Sequence, residues 1–434
     1  MISGKKLYRE VAAVVTAALL ISGQILAGCA GTDGNRAVSR SQEASASESI
    51  RTSSKDAETV TAASTEGSET GEADWLSSDA EGAPEIPGAK ATGRMKLDYA
   101  SCFRIWYYSG GYKVLDIEQA GQYLVVPEDG KVPDAEDLPE GMRIIRQPLK
   151  NIYLAATSAM ALFDAMGGLD SVTLSSLDED GWQIDGPKKA LAAGKMQYAG
   201  KYSEPDYEML IEKNCDLAVE STMIFHTPDV QEMIEDLGIT VLVDRSSFEK
   251  QALGRTEWIK LYAALLDRED EAQAFFEAQV DEVGAVGRFK KTGKTVAFFS
   301  VSSDGSIVIR RADDYIPAMI ETAGGDYVFS GMKDAGGTSA TVDISMEEFY
   351  SKAVNADYLV YNGTIVGEIA DLDELAGKSE LFREFKAFRE GNVWQVDKST
   401  YQSTDKVSRL ILDLNIMMTD GDTSKLTFLS KVKS

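Results

Sequence analysis

A few side chains in this sequence have the type and spacing to bind something. Arg310 and Arg311 are adjacent guanidiniums in a chain whose net charge is −26. Such a pair matches carboxylates in a bidentate fork, although a solvated pair beside Asp313 and Asp314 is the alternative. Arg255 and Lys201 are further cationic candidates. His226 is the single histidine and stands three residues after Met223. Imidazole and thioether are both metal ligands, while a plain polar loop residue is the other reading. Cys29 follows Leu26-Ala27-Gly28, small residues ahead of a thiol that suits lipidation.

Composition removes several function classes. Seventy acids against 44 bases argue against nucleic acid, whose phosphates are bound by Lys and Arg. One histidine leaves no His-rich zinc site and no HExxH protease. Three cysteines are too few for a disulfide scaffold; Cys102 and Cys215 are expected to be free thiols. Neither a GxSxG elbow, a P-loop nor a GxGxxG fingerprint occurs, so no enzyme is expected. An exported carboxylate-pair hydrolase remains the alternative from another class.

The N-terminus reads as an export signal. Lys5, Lys6 and Arg9 precede an apolar stretch from Val11 to Ile21, too short to span a bilayer and followed by the lipobox-like run ending at Cys29. Residues 1–28 are therefore expected to be a lipoprotein signal peptide. Cys29 would carry acyl chains that hold the protein on the outer face of the cytoplasmic membrane. Residues 29–95 are rich in Ser, Thr, Ala, Gly and Glu, and residues 30–95 hold twelve acids and six bases without a periodic apolar face. They read as a disordered acidic tether.

The candidate binding residues need elements to position them. Residues 96–142 alternate apolar and polar around Gly110-Gly111 and read as a β-rich extension. From Arg143-Ile144-Ile145-Arg146 onward, strands alternate with helices, which indicates α/β lobes over 143–253 and 291–434. Thr256 to Arg288 has helical spacing almost throughout, so 254–290 reads as linking helices. A weak internal repeat sets Glu208 before Asn214-Cys215-Asp216 and Glu347 before Asn355-Ala356-Asp357, each ahead of a strand.

With these segments in place, the chain resembles the iron-complex and vitamin B12 type of substrate-binding lipoproteins of ABC importers, the helical-backbone class. The likeness runs over roughly residues 143–420. It is carried by Tyr198-Ala199-Gly200-Lys201-Tyr202-Ser203-Glu204-Pro205-Asp206-Tyr207-Glu208, by Leu253-Gly254-Arg255-Thr256-Glu257-Trp258, by Glu347 ahead of Asp357-Tyr358-Leu359-Val360, and by Phe385-Lys386-Ala387-Phe388 with Gly391-Asn392-Val393-Trp394.

The resemblance implies an α/β fold of two Rossmann-like lobes with parallel sheets, joined by a long helical strut, with a ligand cleft between them. It implies capture of a metal chelate (an iron-siderophore or haem) and delivery to an ABC permease with its ATPase, by a monomer without an intrinsic cofactor. Cobalamin or another corrinoid is the alternative cargo. Glu208 and Glu347 occupy the positions where one glutamate per lobe pairs with permease arginines. Helix N-terminal acids complementing a dipole are the bland reading of both.

Cleft ligands meet loops at the C-terminal ends of parallel strands. That rule selects Tyr153 and Thr157, Met223, Phe225 and His226, Ser246 to Phe248, Ser302 and Ser303, and Asn362 to Thr364. Lys201 and Tyr202 sit at a helix entrance. Arg310 and Arg311 then suit the carboxylates of a siderophore or of haem propionates. His226 suits haem iron or corrinoid cobalt as an axial ligand.

Overall fold

The five-residue strand Leu217–Ser221 is flanked by parallel neighbours, Thr240–Asp244 on one side and Ile152–Leu154 on the other. Val172–Ser175 and Gln197–Tyr198 extend the same sheet, again in parallel. Apart from the exposed edge strand Gln197–Tyr198, these strands are short, mostly apolar and largely buried, as parallel strands covered by helices must be. A computed structural model provides this description for residues 73–285, 289–332 and 340–434. Cys29, the signal segment and the tether up to residue 72 lie outside the described residues.

The second lobe is built on Thr295–Val301, Tyr358–Asn362 and Val393–Val396, which pair in parallel. Its sheet is mixed rather than wholly parallel. Thr295–Val301 turns back through Ser302–Ser306 into the antiparallel strand Ile307–Arg310, which pairs with Thr341–Ile344, and Leu429–Lys431 closes the other edge antiparallel. A cluster of aromatic rings fills the core here: Phe299 packs on Phe349, Tyr361 and Phe382, with centroids 4.7, 5.7 and 5.5 Å away.

The segment between the lobes is three helices, not one strut: Ala252–Glu257, Ile259–Leu266 and Glu269–Ala285. Trp258 forms the first joint. Asp267, left-handed at φ 54°, forms the second. The lobes also meet away from the strut. The Gln402 side chain accepts from the Gln183 N–H at 2.6 Å and donates to the Gly181 carbonyl at 3.0 Å; the first linking helix itself meets the second lobe where Thr256 donates to the Thr404 carbonyl.

Two expectations are corrected in the N-terminal part. Residues 73–95 are not tether. Leu76–Ser77 and Ala91–Met95 are the first strands of a six-stranded sheet that continues through Phe103–Tyr108, Lys113–Ile117 and Gly121–Val126. Few apolar groups suffice there, because Trp75 packs on Tyr107 at 5.1 Å, its indole N–H reaches Asp270, and Ile86 is buried. Arg143–Arg146 is the sixth strand of that sheet, paired in parallel with Gly121–Val126, and does not open the first lobe.

This sheet is bolted to the linking helices by buried charge. Glu257 accepts from the backbone N–H groups of Asp98, Tyr99 and Ala100 at 2.7–3.1 Å and from Lys260 at 2.9 Å. Glu249 takes the next two, Ser101 and Cys102, together with the Trp258 indole. Two carboxylates thus satisfy five successive backbone donors that no strand pairs. Gly254 lets the helix approach closely, since a Cβ there would lie 3.0 Å from the Tyr99 carbonyl oxygen. Lys113 adds a third bolt, reaching Glu269, Asp267 and the Ala264 carbonyl. Replacing Glu257 with alanine orphans both the backbone donors and the buried Lys260 ammonium. It is expected to cost about 3–5 kcal/mol in urea denaturation, with Glu257→Gln intermediate; a loss under about 1 kcal/mol would contradict this role.

Candidate functional site

Where the strands of both lobes end, the chain encloses a cavity of about 910 Å³. From the first lobe it receives Met223, Phe225 and His226, carried on the short helical turn Thr222–His226, whose entrance is fixed by the Ser221 hydroxyl accepting from the Met223 N–H. All three side chains are exposed toward the opening. At the end of the adjacent strand, Asp244 holds the next turn. It accepts from the backbone N–H and hydroxyl of Ser246 and from the Tyr262 hydroxyl. Arg245 and Phe248 reach the cavity from that turn.

The linking helix contributes Arg255, and the second lobe contributes Arg310, Arg311, Tyr315 and Tyr401. Asn362 also lines it, its carboxamide oxygen accepting from the Thr364 hydroxyl at 2.7 Å. Four guanidiniums thus converge in a chain of net charge −26. Aromatic faces support them: Arg245 lies 4.2 Å from the Phe248 centroid, while Arg255 and Arg310 lie 4.4 and 5.7 Å from that of Tyr315. Arg310 also meets Asp314 at 3.5 Å, and Arg311 meets Asp313 at 3.7 Å. Asp314 in turn caps helix Tyr315–Thr322 by accepting from Ile316 N–H.

Arg245 and Arg255 differ from that pair. Each is 6 % exposed, forms no ion pair among the described residues, and keeps an Nε without a hydrogen-bond partner. A buried guanidinium nitrogen without a hydrogen-bond partner is costly. Stacking on a ring recovers only part of that cost, about 0.5–2 kcal/mol.

Of the residues selected from sequence, Met223, His226, Phe248, Arg255, Arg310 and Arg311 come together here. Tyr153, Lys201 and Tyr202 do not line the cavity. Tyr153 is fully buried in its strand, its hydroxyl donating to the Gly200 carbonyl at 3.1 Å, because the strand is only three residues long and Tyr153 is its middle. Lys201 and Tyr202 belong to a small hairpin in which Gly200–Lys201 pairs with Glu204–Pro205. Ser302 closes the turn into Ile307–Arg310 by bonding Asp304 and Ser306, so it too is absent from the lining. Arg245, Tyr315 and Tyr401 were not selected from sequence. Arg245 directly follows strand Thr240–Asp244, so the strand-end rule, applied one residue earlier, would have found it.

Glu208 and Glu347 are exposed in the first turns of helices Tyr207–Glu212 and Met346–Ala353. The caps of these helices are Asp206 and Ser345, whose side chains accept from Met209 N–H and Glu348 N–H. Cys102 and Cys215 are both unpaired. Burial pushes the Cys102 thiol up to about 12, helped by Glu249, and the Cys215 thiol up to about 11.

Glu220 ends the buried part of the strand that delivers the Met223 turn. Neither of its oxygens has a hydrogen-bond partner, and burial pushes its pKa well above the usual carboxylate range. The unfolded chain releases this proton first as pH rises, so the folded state holds more protons and stability falls with pH above about 4.5. Glu220→Gln removes that slope, which is at most about 1.4 kcal/mol per pH unit. The melting temperature of Glu220→Gln relative to wild type is therefore expected to rise from pH 5 to pH 8; a constant difference would contradict it.

Comparison with known proteins decides the family. The periplasmic binding protein family matches residues 163–400. The chain belongs to that family. Its members are substrate-binding proteins of transporters rather than enzymes; they bind small ligands, work with ABC permeases outside the cytoplasm, and carry transported cargo in place of an intrinsic cofactor. An uncharacterized lipoprotein of Methanocaldococcus jannaschii is 28 % identical over 319 residues, 70 % of this chain and 73 % of that one. A second lipoprotein of the same organism is 26 % identical over 309 residues, 68 % of this chain and 75 % of its own.

Two solved structures share the fold. A periplasmic heme-binding protein from Pseudomonas aeruginosa has a TM-score of 0.51 at 14 % identity, covering 66 % of this chain and 100 % of its own. A periplasmic binding protein from Veillonella parvula scores 0.50 at 15 % identity, covering 62 % and 90 %. The binding protein thus has the two-lobed α/β fold. No helix among its described residues is long and apolar enough to cross a membrane.

Proposed function

We propose that this binding protein captures an anionic metal chelate, a ferric siderophore or haem, and hands it to an ABC permease driven by its ATPase. The observation that carries this reading is the pair of buried guanidiniums of Arg245 and Arg255, each over an aromatic ring and each with an Nε that no hydrogen bond satisfies, beside Arg310 and Arg311. A cavity of about 910 Å³ has the size of a drug-scale or larger ligand site. Among the described residues no three His, Cys, Asp or Glu side chains are placed to hold a bare metal ion together, so the cargo metal would arrive with its own chelator.

His226 supports a second reading. It lines the cavity with Met223 and is the residue that would offer a nitrogen ligand to haem iron or to the cobalt of a corrinoid, including cobalamin. Cys29 would carry the lipid anchor, and Glu208 and Glu347 would face permease arginines.

Native mass spectrometry with visible absorbance, applied to the purified chain with haem, cobalamin and a panel of ferric siderophores, tests the assignment. A 1:1 complex with one of these ligands is expected; absence of any complex would overturn the reading.

A further inference from the structure

A second hollow of about 460 Å³ adjoins the cleft, and the N-terminal sheet forms one side of it. Cys102, Phe103 and Arg104 with Asp116 and Glu118 come from that sheet; Arg245, Phe248 and Lys250 come from the first lobe. These last three residues line both cavities, and the sheet's turn residue Gln119 reaches the main cleft as well. The two spaces are therefore neighbours across one short segment, 245–250.

We infer that this hollow is an outer subsite of the cleft, in which the N-terminal sheet receives a carboxylate-bearing arm of the same ligand. The inference rests on the chelate reading above and extends it to the ligand's periphery. Three observations carry it. Arg245 sits on the boundary of the two spaces, buried, with an Nε that no hydrogen bond satisfies. Its guanidinium carbon stands 4.2 Å over the centre of the Phe248 ring, a contact that leaves its N–H groups for a planar anion.

Arg104 and Lys250 flank it from the two sides of the hollow, and both are exposed. Arg104 faces its cross-strand partner Asp116 at a loose 3.6 Å, a surface pair worth little and easily exchanged for a ligand carboxylate. Asp116 and Glu118 place acceptors beside Arg104 on the sheet's wall, so the arm that fits best bears a hydroxyl or amine donor next to its carboxylate.

The hollow is also rigidly built. Glu249, between Phe248 and Lys250, turns inward to bind the N–H groups of Ser101 and Cys102, which fixes the floor from the sheet side against the segment that carries Arg245. The sheet that forms this wall, residues 76–146, lies outside the family match over residues 163–400.

The test compares the full chain with an Arg104→Ala variant, whose altered side chain is exposed, lines the hollow but not the main cleft, and leaves Arg245 in place. Fluorescence titration uses two probes: ferric citrate, a hydroxycarboxylate complex, and ferrichrome, an uncharged trihydroxamate complex. The variant is expected to bind ferric citrate at least fivefold more weakly, while ferrichrome is bound within twofold by both proteins or by neither. Equal ferric citrate affinity in the two proteins, or equal loss for both probes, overturns the outer subsite. Failure of ferric citrate to bind wild type while haem or another chelate binds overturns this inference alone. Failure of every chelate overturns the cleft reading with it.

Discussion

Exchanging Arg255 and Arg310 for glutamine is expected to weaken binding of an anionic chelate more than tenfold, that is by more than about 1.4 kcal/mol. Both guanidiniums approach the face of Tyr315, one from the linking helix and one from the second lobe. A carboxylate seated there would draw charge-assisted hydrogen bonds from both sides of the cleft, each worth about 1.5–3 kcal/mol. The loss should be smaller at high salt, where the wild-type interaction is already screened. Arg310 also balances the buried Asp314, so Arg310→Lys serves as the milder variant, keeping charge while losing the fork. Thermal melts confirm that each variant is folded. Unchanged affinity in the folded double variant would assign these arginines to architecture alone.

The second large effect lies on the surface. Under the docking reading, Glu208→Lys combined with Glu347→Lys abolishes uptake, with ligand affinity within twofold of wild type. Both carboxylates are exposed on first turns of helices, one in each lobe, where they are free to meet a basic surface. Exposed charges of this kind set orientation and encounter rate more than ligand affinity. Reversal converts two attractions into two repulsions, which is why the transport loss should be complete. Glu348 is equally exposed beside Glu347, so Glu348→Lys alone tells which of the two is used. Normal uptake by the double reversal would remove the docking role. A parallel fall in ligand affinity would point to a folding effect instead.

The α/β alternation was legible because it depends on local periodicity. Strands alternate with helices from Ile152–Leu154 onward in the first lobe and from Thr295–Val301 and Tyr315–Thr322 onward in the second. Pairing partners were not legible. Arg143–Arg146 looks like any first strand of an α/β lobe, yet it joins the preceding sheet, since partner choice is decided by tertiary packing. Residues 73–95 looked like tether because ordering there comes from edge pairing and from one tryptophan, with little apolar content of their own. The antiparallel return at Ser302 escaped for the same reason, and it moved the expected strand-end loop out of the cleft.

For the cleft itself, charge contrast was the informative signal. Arg310 and Arg311 stood out against an acidic chain, and both line the cavity. Arg245 did not stand out, because Asp244 precedes it and an adjacent acid and base read as a neutral surface pair. Burial separates them: Asp244 is spent on Ser246 and Tyr262, leaving the guanidinium unpaired. Tyr153 failed because the strand-end rule presumes a long strand, and Ile152–Leu154 places its second residue wholly inside.

Under the proposed function, the guanidiniums lining the cleft would select an anionic chelate. The most direct measurement is calorimetric titration of the purified chain with metal chelates graded in charge, from ferric citrate and haem to uncharged ferrichrome, at low and high salt. Saturable 1:1 binding, tightest for a carboxylate-bearing chelate and weakening as salt rises, is the predicted result. Tightest binding of an uncharged chelate, indifferent to salt, would contradict it.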